Sequence, residues 1–215
     1  MPEAPRIARI DELPAIPVAG VTWRPVRREL DVRAFGVNAY TADAGALLIE
    51  EHDEAGEGGA GRHEELYVVV SGHARFTIDG ADHDAPAGTL VFVPDRASKR
   101  NAVAVADGTT ALVVGGRVGE AYTVSAWEPM FEALALSEAG DPAAAADLMR
   151  AALDAYPGNA AVLYNTACFE ALAVRRDAAM AHLLEAAERD RESVLRWSAG
   201  DSDLDSLRDD PSFPR

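Results

Sequence analysis

The strongest strand and turn pattern in the first part of the chain lies at residues 63–101, HEELYVVVSGHARFTIDGADHDAPAGTLVFVPDRASKRN. Within this stretch, ARFTIDG alternates between apolar Ala74, Phe76 and Ile78 and the more polar residues between them. Such alternation places the apolar side chains on one face of a strand. The Asp-Gly pair that follows is typical of a tight hairpin turn. The stretch therefore predicts antiparallel strands.

Short runs of the same kind continue on both sides of this stretch, and Gly, Asp or Pro separates them. They are AFGVNAY, ALLIEEH, ELYVVV, TLVFVP, NAVAVA and TALVVGG. About eight or more strands at this spacing are typical of a β-sandwich or barrel, and the count suits a jelly roll. After residue 125 the apolar positions recur every three or four residues, which is the helical period. We therefore predict a mainly β domain over 1–125, with its core at about 20–125, followed by an α-helical domain over 126–215.

The helical region contains an internal repeat with an offset of about 34 residues. The offset matches Ala133 and Ala145 of the first copy with Ala167 and Ala179 of the second. The spacing resembles the tetratricopeptide repeat, a helix-turn-helix unit, and this resemblance implies a pair of helical hairpins. The first copy has glycine at its turn and proline at its exit, whereas the second copy has neither residue.

The end of the chain, DSDLDSLRDDPSF, resembles the short helical cap that closes such repeats. As a cap it would bury Leu204, Leu207 and Phe213. Two repeats fall short of the three that a free-standing array usually needs. We therefore expect the helices to be supported by the β domain or by a second subunit.

Composition excludes several classes of partner. The chain has 36 acidic and 20 basic side chains and a net charge of −16, which repels phosphate backbones and anionic lipids. We expect neither a nucleic-acid nor a membrane partner. The sequence predicts no signal peptide and no apolar run of spanning length, so we expect a cytoplasmic protein. A single cysteine, Cys168, is predicted to be a core residue.

Two spacings resemble the motifs of the cupin family. Glu65 and Gly72 are separated by six residues as in the first motif, and Gly88 and Pro94 by five as in the second. The resemblance implies a jelly-roll β-barrel over about residues 20–125. In cupins, two histidines and a glutamate of the first motif and one histidine of the second hold a transition metal.

The metal motif is incomplete in this chain. Glu65 is kept, but the positions of the histidine pair hold Gly59 and Gly61, and the second-motif histidine is replaced by Lys99. We therefore expect no bound metal as the leading interpretation. Alternatively, His52, His63 and Glu65, with Glu50 as a further candidate, form a relocated site for one divalent transition metal, because imidazole and carboxylate suit Zn, Fe or Mn. A third reading places both histidines on a solvated loop rim.

Lys99 is the only lysine among twenty basic residues. If it points into the barrel mouth, its ammonium pairs with Glu65 and replaces the metal charge. If it points outward, it is an ordinary exposed side chain. Tyr67 and Phe92 are predicted to line the cavity, whereas Phe76 is predicted to belong to the core.

The resulting hypothesis is a non-catalytic cupin that binds a small molecule in the barrel or acts as a homodimeric scaffold. The ligand-binding candidates at the barrel mouth are His52, His63, Glu65, Tyr67, Phe92 and Lys99. One alternative is a metal-dependent cupin enzyme of dioxygenase or isomerase type that uses His52, His63 and Glu65. Another is an adaptor that binds a protein partner through its helical repeats.

Overall fold

The computed structural model describes residues 5–18, 20–55 and 62–215. Gly59 and Gly61, which stand where the cupin resemblance would place a histidine pair, lie outside the described residues. The chain divides into two compact units, and the boundary falls between Ser125 and Ala126.

The described part of the first unit contains ten strands and one short α-helix. The strands are β1 (Ile16–Val18), β2 (Val21–Arg24), β3 (Gly36–Ala42), β4 (Leu47–His52), β5 (Glu64–Ser71), β6 (His73–Ile78), β7 (Ala81–Pro86), β8 (Leu90–Val93), β9 (Arg100–Ala104) and β10 (Thr109–Gly116). Helix α1 (Val26–Leu30) lies between β2 and β3, and a 3₁₀ turn (Ile10–Glu12) precedes β1.

These strands form two sheets, in which all neighbouring strands are antiparallel. The six-stranded sheet has the order β1-β2-β3-β10-β5-β8, and the four-stranded sheet has the order β4-β9-β6-β7. One hydrophobic cluster combines residues of both sheets, including Tyr67 and Val69 from the first and Phe76 and Ala102 from the second. The inner faces of the two sheets therefore pack together, as in a β-sandwich. The prediction of antiparallel β structure for this unit is confirmed.

The turn between β5 and β6 requires glycine. Gly72 has a φ of +73°, and a Cβ added to it would lie 2.6 Å from the Cα of Thr109. Backbone atoms of the neighbouring strand cannot move aside for a side chain. The glycine of the first spacing is thus explained by close backbone approach.

The second unit is helical and has a core of its own. It contains α2 (Trp127–Glu138), α3 (Pro142–Ala152), α4 (Ala160–Leu172), α5 (Arg176–Arg189), α6 (Arg191–Ser198) and a 3₁₀ helix (Ser202–Leu207). Asp141 is the N-cap of helix α3, and its carboxylate accepts a hydrogen bond from the Ala144 amide at 2.9 Å;. Pro142 follows at the first helical position, where its missing N–H costs nothing;. Consecutive helices from α2 to α5 pack against each other.

The expected cap residues are buried. Leu204, Leu207 and Phe213 join a cluster that also contains Leu163 and Leu183. Cys168 is buried in the same cluster, in agreement with its predicted role as a core residue. Burial raises the pKa of its thiol, and the nearby Asp201 carboxylate adds to that effect.

The turn after α2 and the turn after α4 correspond in the 34-residue repeat, and each contains a residue with a positive φ. Gly140 follows α2 with a φ of +89°, and Val174 follows α4 with a φ of +60°. Both residues therefore lie in the left-handed region, which glycine adopts freely and a β-branched residue does not. Among the described residues, no helix is long and apolar enough to cross a membrane.

Candidate functional site

A polar cluster lies between the two sheets, beside the hydrophobic cluster of the first unit. Strand alternation on β5 turns Glu65, Tyr67 and Val69 inward;. On β9 of the other sheet, Arg100 points inward together with Ala102 and Ala104. The two alternations bring one carboxylate and one guanidinium together across the interior.

Arg100 and Glu65 form a buried ion pair. Arg100 donates to Glu65 Oε2 from Nη2 at 2.6 Å and from Nε at 3.1 Å. The Arg100 side chain is 0% exposed, and a further donor, Nη1, binds the carbonyl oxygen of Ser98 at 2.9 Å. A buried charge is tolerated when it is paired and hydrogen-bonded, and both conditions hold here.

Tyr67 forms hydrogen bonds with both members of the ion pair. Its hydroxyl donates to Glu65 Oε2 and accepts from Arg100 Nε at 3.3 Å. Its ring packs edge-on against Phe76 with centroids 5.3 Å apart. Tyr67 is therefore fixed at both ends, and Phe76 is a core residue as predicted.

His52 approaches the same carboxylate from β4. The pairing of β4 with β9 shifts register between Ile49 and His52, which turns His52 toward Glu65 and leaves the Glu50 side chain exposed;. His52 Nδ1 donates to the carbonyl oxygen of Glu50 at 2.7 Å. Its Nε2 lies 3.5 Å from both Glu65 Oε2 and the Tyr67 hydroxyl. Glu50, expected on the same face as His52, does not reach the cluster.

Glu54 and His63 form the remaining side of the cluster. Glu54 is buried, and its Oε2 accepts from the His63 amide at 3.4 Å. The Nδ1 of His63 lies 4.0 Å from the same oxygen, and its ring packs against Tyr122 with centroids 5.9 Å apart. His63 thus belongs to the cluster but does not contact Glu65 directly.

The pKa values of the Glu65 and Glu54 carboxyl groups are shifted in opposite directions. Burial alone would raise the pKa of Glu65, but hydrogen bonds from His52, Tyr67 and Arg100 lower it to about 2. Burial raises the pKa of Glu54, and the nearby charge of Glu65 raises it further. Glu65 is therefore ionised at neutral pH, whereas burial and the charge of Glu65 disfavour the ionised form of Glu54;.

The two histidines of the cluster also differ. Burial favours the neutral ring of His52, but hydrogen bonds to Glu65 and to the Glu50 carbonyl outweigh that effect and raise its pKa. Burial lowers the pKa of His63, and the attraction of Glu65 does not compensate for it. Within the cluster, Arg100 balances the charge of Glu65.

Two predicted site residues lie elsewhere. Lys99 is exposed, and its amide donates to Asp79 Oδ1 at 2.9 Å. Of the two alternatives for Lys99, the structure has the exposed side chain and not the pair with Glu65, because strand alternation turns the next residue, Arg100, inward. Phe92 is 54% exposed and does not line the interior, since its neighbours Val91 and Val93 occupy the inner face of β8.

Sequence reasoning missed Arg100 and Glu54. The sequence of β9 could have predicted the position of Arg100, because residues two apart on a strand share a face and Arg100 stands two residues before Ala102. The spacing of the second motif predicts Lys99, and not Arg100, at the position of the family histidine. No periodic signal marks Glu54, which follows the irregular end of β4.

Three side chains of the cluster are close enough together to be considered as ligands of a metal ion. His52, Glu54 and Glu65 each offer one ligand atom within 4.8 Å of the others, and this donor set suits Zn, Fe or Mn. However, the guanidinium of Arg100 already neutralises Glu65 and would repel a divalent cation placed beside it. The cluster therefore does not fit a metal ion with Arg100 in its present position.

No family model and no curated protein matches the sequence. Solved structures of cupin type are similar in shape to part of the chain. They include KdgF from a Halomonas species (18% identity, TM-score 0.41, covering 49% of this chain and 88% of that one). A second is a sugar phosphate isomerase of the cupin superfamily from Silicibacter pomeroyi (19% identity, TM-score 0.43, covering 53% of this chain and 76% of that one). A third is an RmlC-like cupin from Shewanella frigidimarina (18% identity, TM-score 0.41, covering 55% of this chain and 97% of that one). Similarity at this level does not identify the family or the activity of this chain.

Proposed function

We propose that the first unit is a cupin-type domain that binds a small polar molecule without a metal ion and without catalysing a reaction. The buried Arg100 that donates two hydrogen bonds to Glu65 carries this proposal. In a metal-binding cupin a metal cation balances the charge of the glutamate, and here the guanidinium of Arg100 balances the charge of Glu65. The motif spacings and the two packed antiparallel sheets support the jelly-roll interpretation. The matched turns at Gly140 and Val174 support helical hairpins of tetratricopeptide type in the second unit.

The groups that remain for a ligand are His52, Glu54 and His63. His52 is half-buried, and the Glu54 and His63 side chains are buried beside it. Together they offer hydrogen-bond donors and acceptors. A neutral molecule with hydroxyl groups matches this arrangement better than a carboxylate or an ammonium compound, because burial disfavours the charged forms of both Glu54 and His63;.

Gly115 borders the cluster, so a side chain at this position would stand beside the groups proposed to contact a ligand. It lies opposite Glu65 in the pairing of β10 with β5. A Cβ at this position would lie 3.4 Å from both Glu65 Cγ and His63 Nδ1. A larger side chain at this position would press against Glu65 and His63 without removing any polar group.

Histidine signals in NMR spectra test the proposal, because each ring reports its own surroundings. We expect glycerol to shift the signals of His52 and His63 but not those of His73 and His182, while lactate and ethanolamine have smaller effects. Gly115→Val should abolish the shift. Gly116→Val is the matched control, since an added Cβ there meets nothing within 4 Å. Equal shifts in both variants, or no shift with any of the three compounds, would contradict the proposed binding.

Metal content separates the proposal from the metal-enzyme alternative. Protein purified without an affinity tag should contain well under one equivalent of Mn, Fe, Ni, Cu or Zn by mass spectrometry. One tightly held ion per chain, lost in His52→Ala and in Glu54→Gln but kept in His73→Ala, would overturn the proposal in favour of that enzyme.

A further inference from the structure

Two adjacent positions on the inner face of the six-stranded sheet are glycines. Gly115 on β10 lies directly opposite Glu65 on β5 and, on its other side, directly opposite Gly36 on β3. Residues that lie directly opposite each other in antiparallel strands share a face, so both glycines stand on the inner face with Glu65. Over these two strands the sheet therefore presents only backbone beside the polar cluster.

Tyr122 lies against the first of these glycines. It belongs to residues 117–125, which follow β10 and contain no helix or strand. A Cβ added to Gly36 would lie 3.0 Å from the hydroxyl oxygen of Tyr122 and 3.2 Å from its ring carbon Cε2. The phenol of Tyr122 thus lies beside the backbone of β3, where a side chain at position 36 would press against it.

The same ring packs against the polar cluster. Its centroid lies 5.9 Å from that of the His63 ring, with the two planes 37° apart. His63 is 8% exposed. Tyr122 therefore places a neutral ring with one hydroxyl group between the backbone of Gly36 and a histidine of the candidate site.

We propose that Tyr122 occupies the ligand position of the first unit, and that a neutral molecule with a hydroxylated aromatic ring binds there by displacing it. This inference rests on the proposed function and specifies the class of ligand for the same site. The tyrosine side chain is itself a molecule of this class, since it is planar, neutral and carries one hydroxyl group. A free phenol would offer the same contacts to Gly36 and His63.

The location of Tyr122 in the chain allows it to leave this position. Since residues 117–125 belong to no strand, moving the ring breaks no hydrogen bond between strands;. A tethered ring competes with a free one for the same position. If Tyr122 occupies it about nine-tenths of the time, the apparent affinity for a free ligand is about tenfold lower than in a chain without the tyrosine.

Phenol binding to the full chain tests this inference. We expect Tyr122→Ala to bind phenol at least about tenfold more tightly than the wild type, measured from the NMR shifts of His63. Thr123→Ala, an exposed change in the same segment, should bind phenol like the wild type. Circular dichroism should show that both variants remain folded. An unchanged affinity in Tyr122→Ala would overturn the proposal.

A second substitution locates the bound phenol. Gly36→Val added to Tyr122→Ala should abolish the gain, because its side chain fills the position that the tyrosine has left. Gly116→Val added to Tyr122→Ala is the matched control, since a Cβ there meets nothing within 4 Å. Loss of the gain in both double variants, or in neither, would contradict binding at Gly36.

The wild-type protein provides a test that needs no variant. Nuclear Overhauser contacts between the rings of Tyr122 and His63 should be present in the free protein and disappear at saturating phenol. Contacts that persist with phenol bound would overturn the displacement.

Glycerol separates this inference from the proposed function. If glycerol shifts the signals of His52 and His63 but Tyr122→Ala shows no gain for phenol, the proposed function stands and the role of Tyr122 is wrong. A gain for phenol without any response to glycerol would contradict the glycerol prediction and support the role of Tyr122.

Discussion

Arg100 on β9 donates two hydrogen bonds to a single carboxylate oxygen of Glu65 on β5, at 2.6 Å and 3.1 Å. Because β9 belongs to the four-stranded sheet and β5 to the six-stranded sheet, this pair joins the two sheets through the interior of the first unit. Glu65 is 8% exposed. Neither charge therefore has enough contact with water to be stable without the other.

Replacing Arg100 by methionine should strongly destabilise the first unit. The variant leaves Glu65 as a buried, unpaired carboxylate, so we expect a loss of about 3–5 kcal/mol in the free energy of unfolding. Urea titration followed by circular dichroism measures it. Lys99→Ala is the matched control, because Lys99 is the exposed neighbour, and it should change stability by no more than about 0.5 kcal/mol. Similar losses in both variants would contradict the assignment of the buried cation to Arg100.

The double variant Arg100→Met, Glu65→Gln should lose less stability than Arg100→Met alone. It leaves no charge unpaired, since the amide of glutamine is neutral and can still accept from Tyr67. Unfolding energies of the wild type, both single variants and the double variant give the coupling between the two residues. A coupling near zero would show that the two charges do not depend on each other.

The sequence predicts much of this arrangement but not the identity of the cation. The spacing of Glu65 and Gly72 identifies a strand and its turn, and both are observed. The same reasoning placed Lys99 where a family histidine stands, which assumed that the chain keeps the family register between Pro94 and β9. In the structure β9 begins at Arg100, and its alternation with the alanines turns the arginine inward.

His52 and Glu54 show a different limit of sequence reasoning. Period-two alternation on β4 predicts that Glu50 and His52 share a face, but the register shift before His52 breaks this period. A bulge depends on pairing with a distant strand, so a local pattern does not reveal it. Glu54 reaches the cluster from an irregular segment, where residue spacing gives no direction for a side chain.

The stability of the first unit should depend on pH through Glu65. Its folded pKa of about 2 lies below the ordinary value of 4.5, so its contribution is fully present above about pH 4.5 and is lost as the pH falls toward 2. The difference corresponds to roughly 3 kcal/mol. Urea titrations between pH 7 and pH 3 should show the gap between the wild type and Glu65→Gln narrowing as the pH falls. Parallel curves would show that Glu65 has no depressed pKa.

Glu54→Gln should stabilise the protein at neutral pH. The folded pKa of Glu54 is raised by burial and by the charge of Glu65, so its ionised form destabilises the fold at pH values above that pKa. Glutamine removes the charge and keeps an oxygen that accepts from the His63 amide. We therefore expect a gain in stability at pH 7 that shrinks as the pH falls and disappears below the ordinary glutamate pKa of 4.5;. Glu51→Gln, an exposed change on the same strand end, should have little effect. A loss of stability in Glu54→Gln at pH 7 would show that its ionised form is favoured.

The turn between α4 and α5 in the helical unit contains a β-branched residue in the left-handed region. Val174 has a φ of +60° and is 88% exposed, so its side chain gains little from burial, and its backbone lies in a region that costs an L-residue about 1–2 kcal/mol. Glycine at this position relieves the strain but loses more entropy on folding, and we expect Val174→Gly to stabilise the unit by about 1 kcal/mol. Gly140→Val makes the reverse change at the matched turn, where φ is +89°, and should destabilise it. Thermal unfolding of both variants measures the two effects, and a loss of stability in Val174→Gly would show that the left-handed conformation there is not strained.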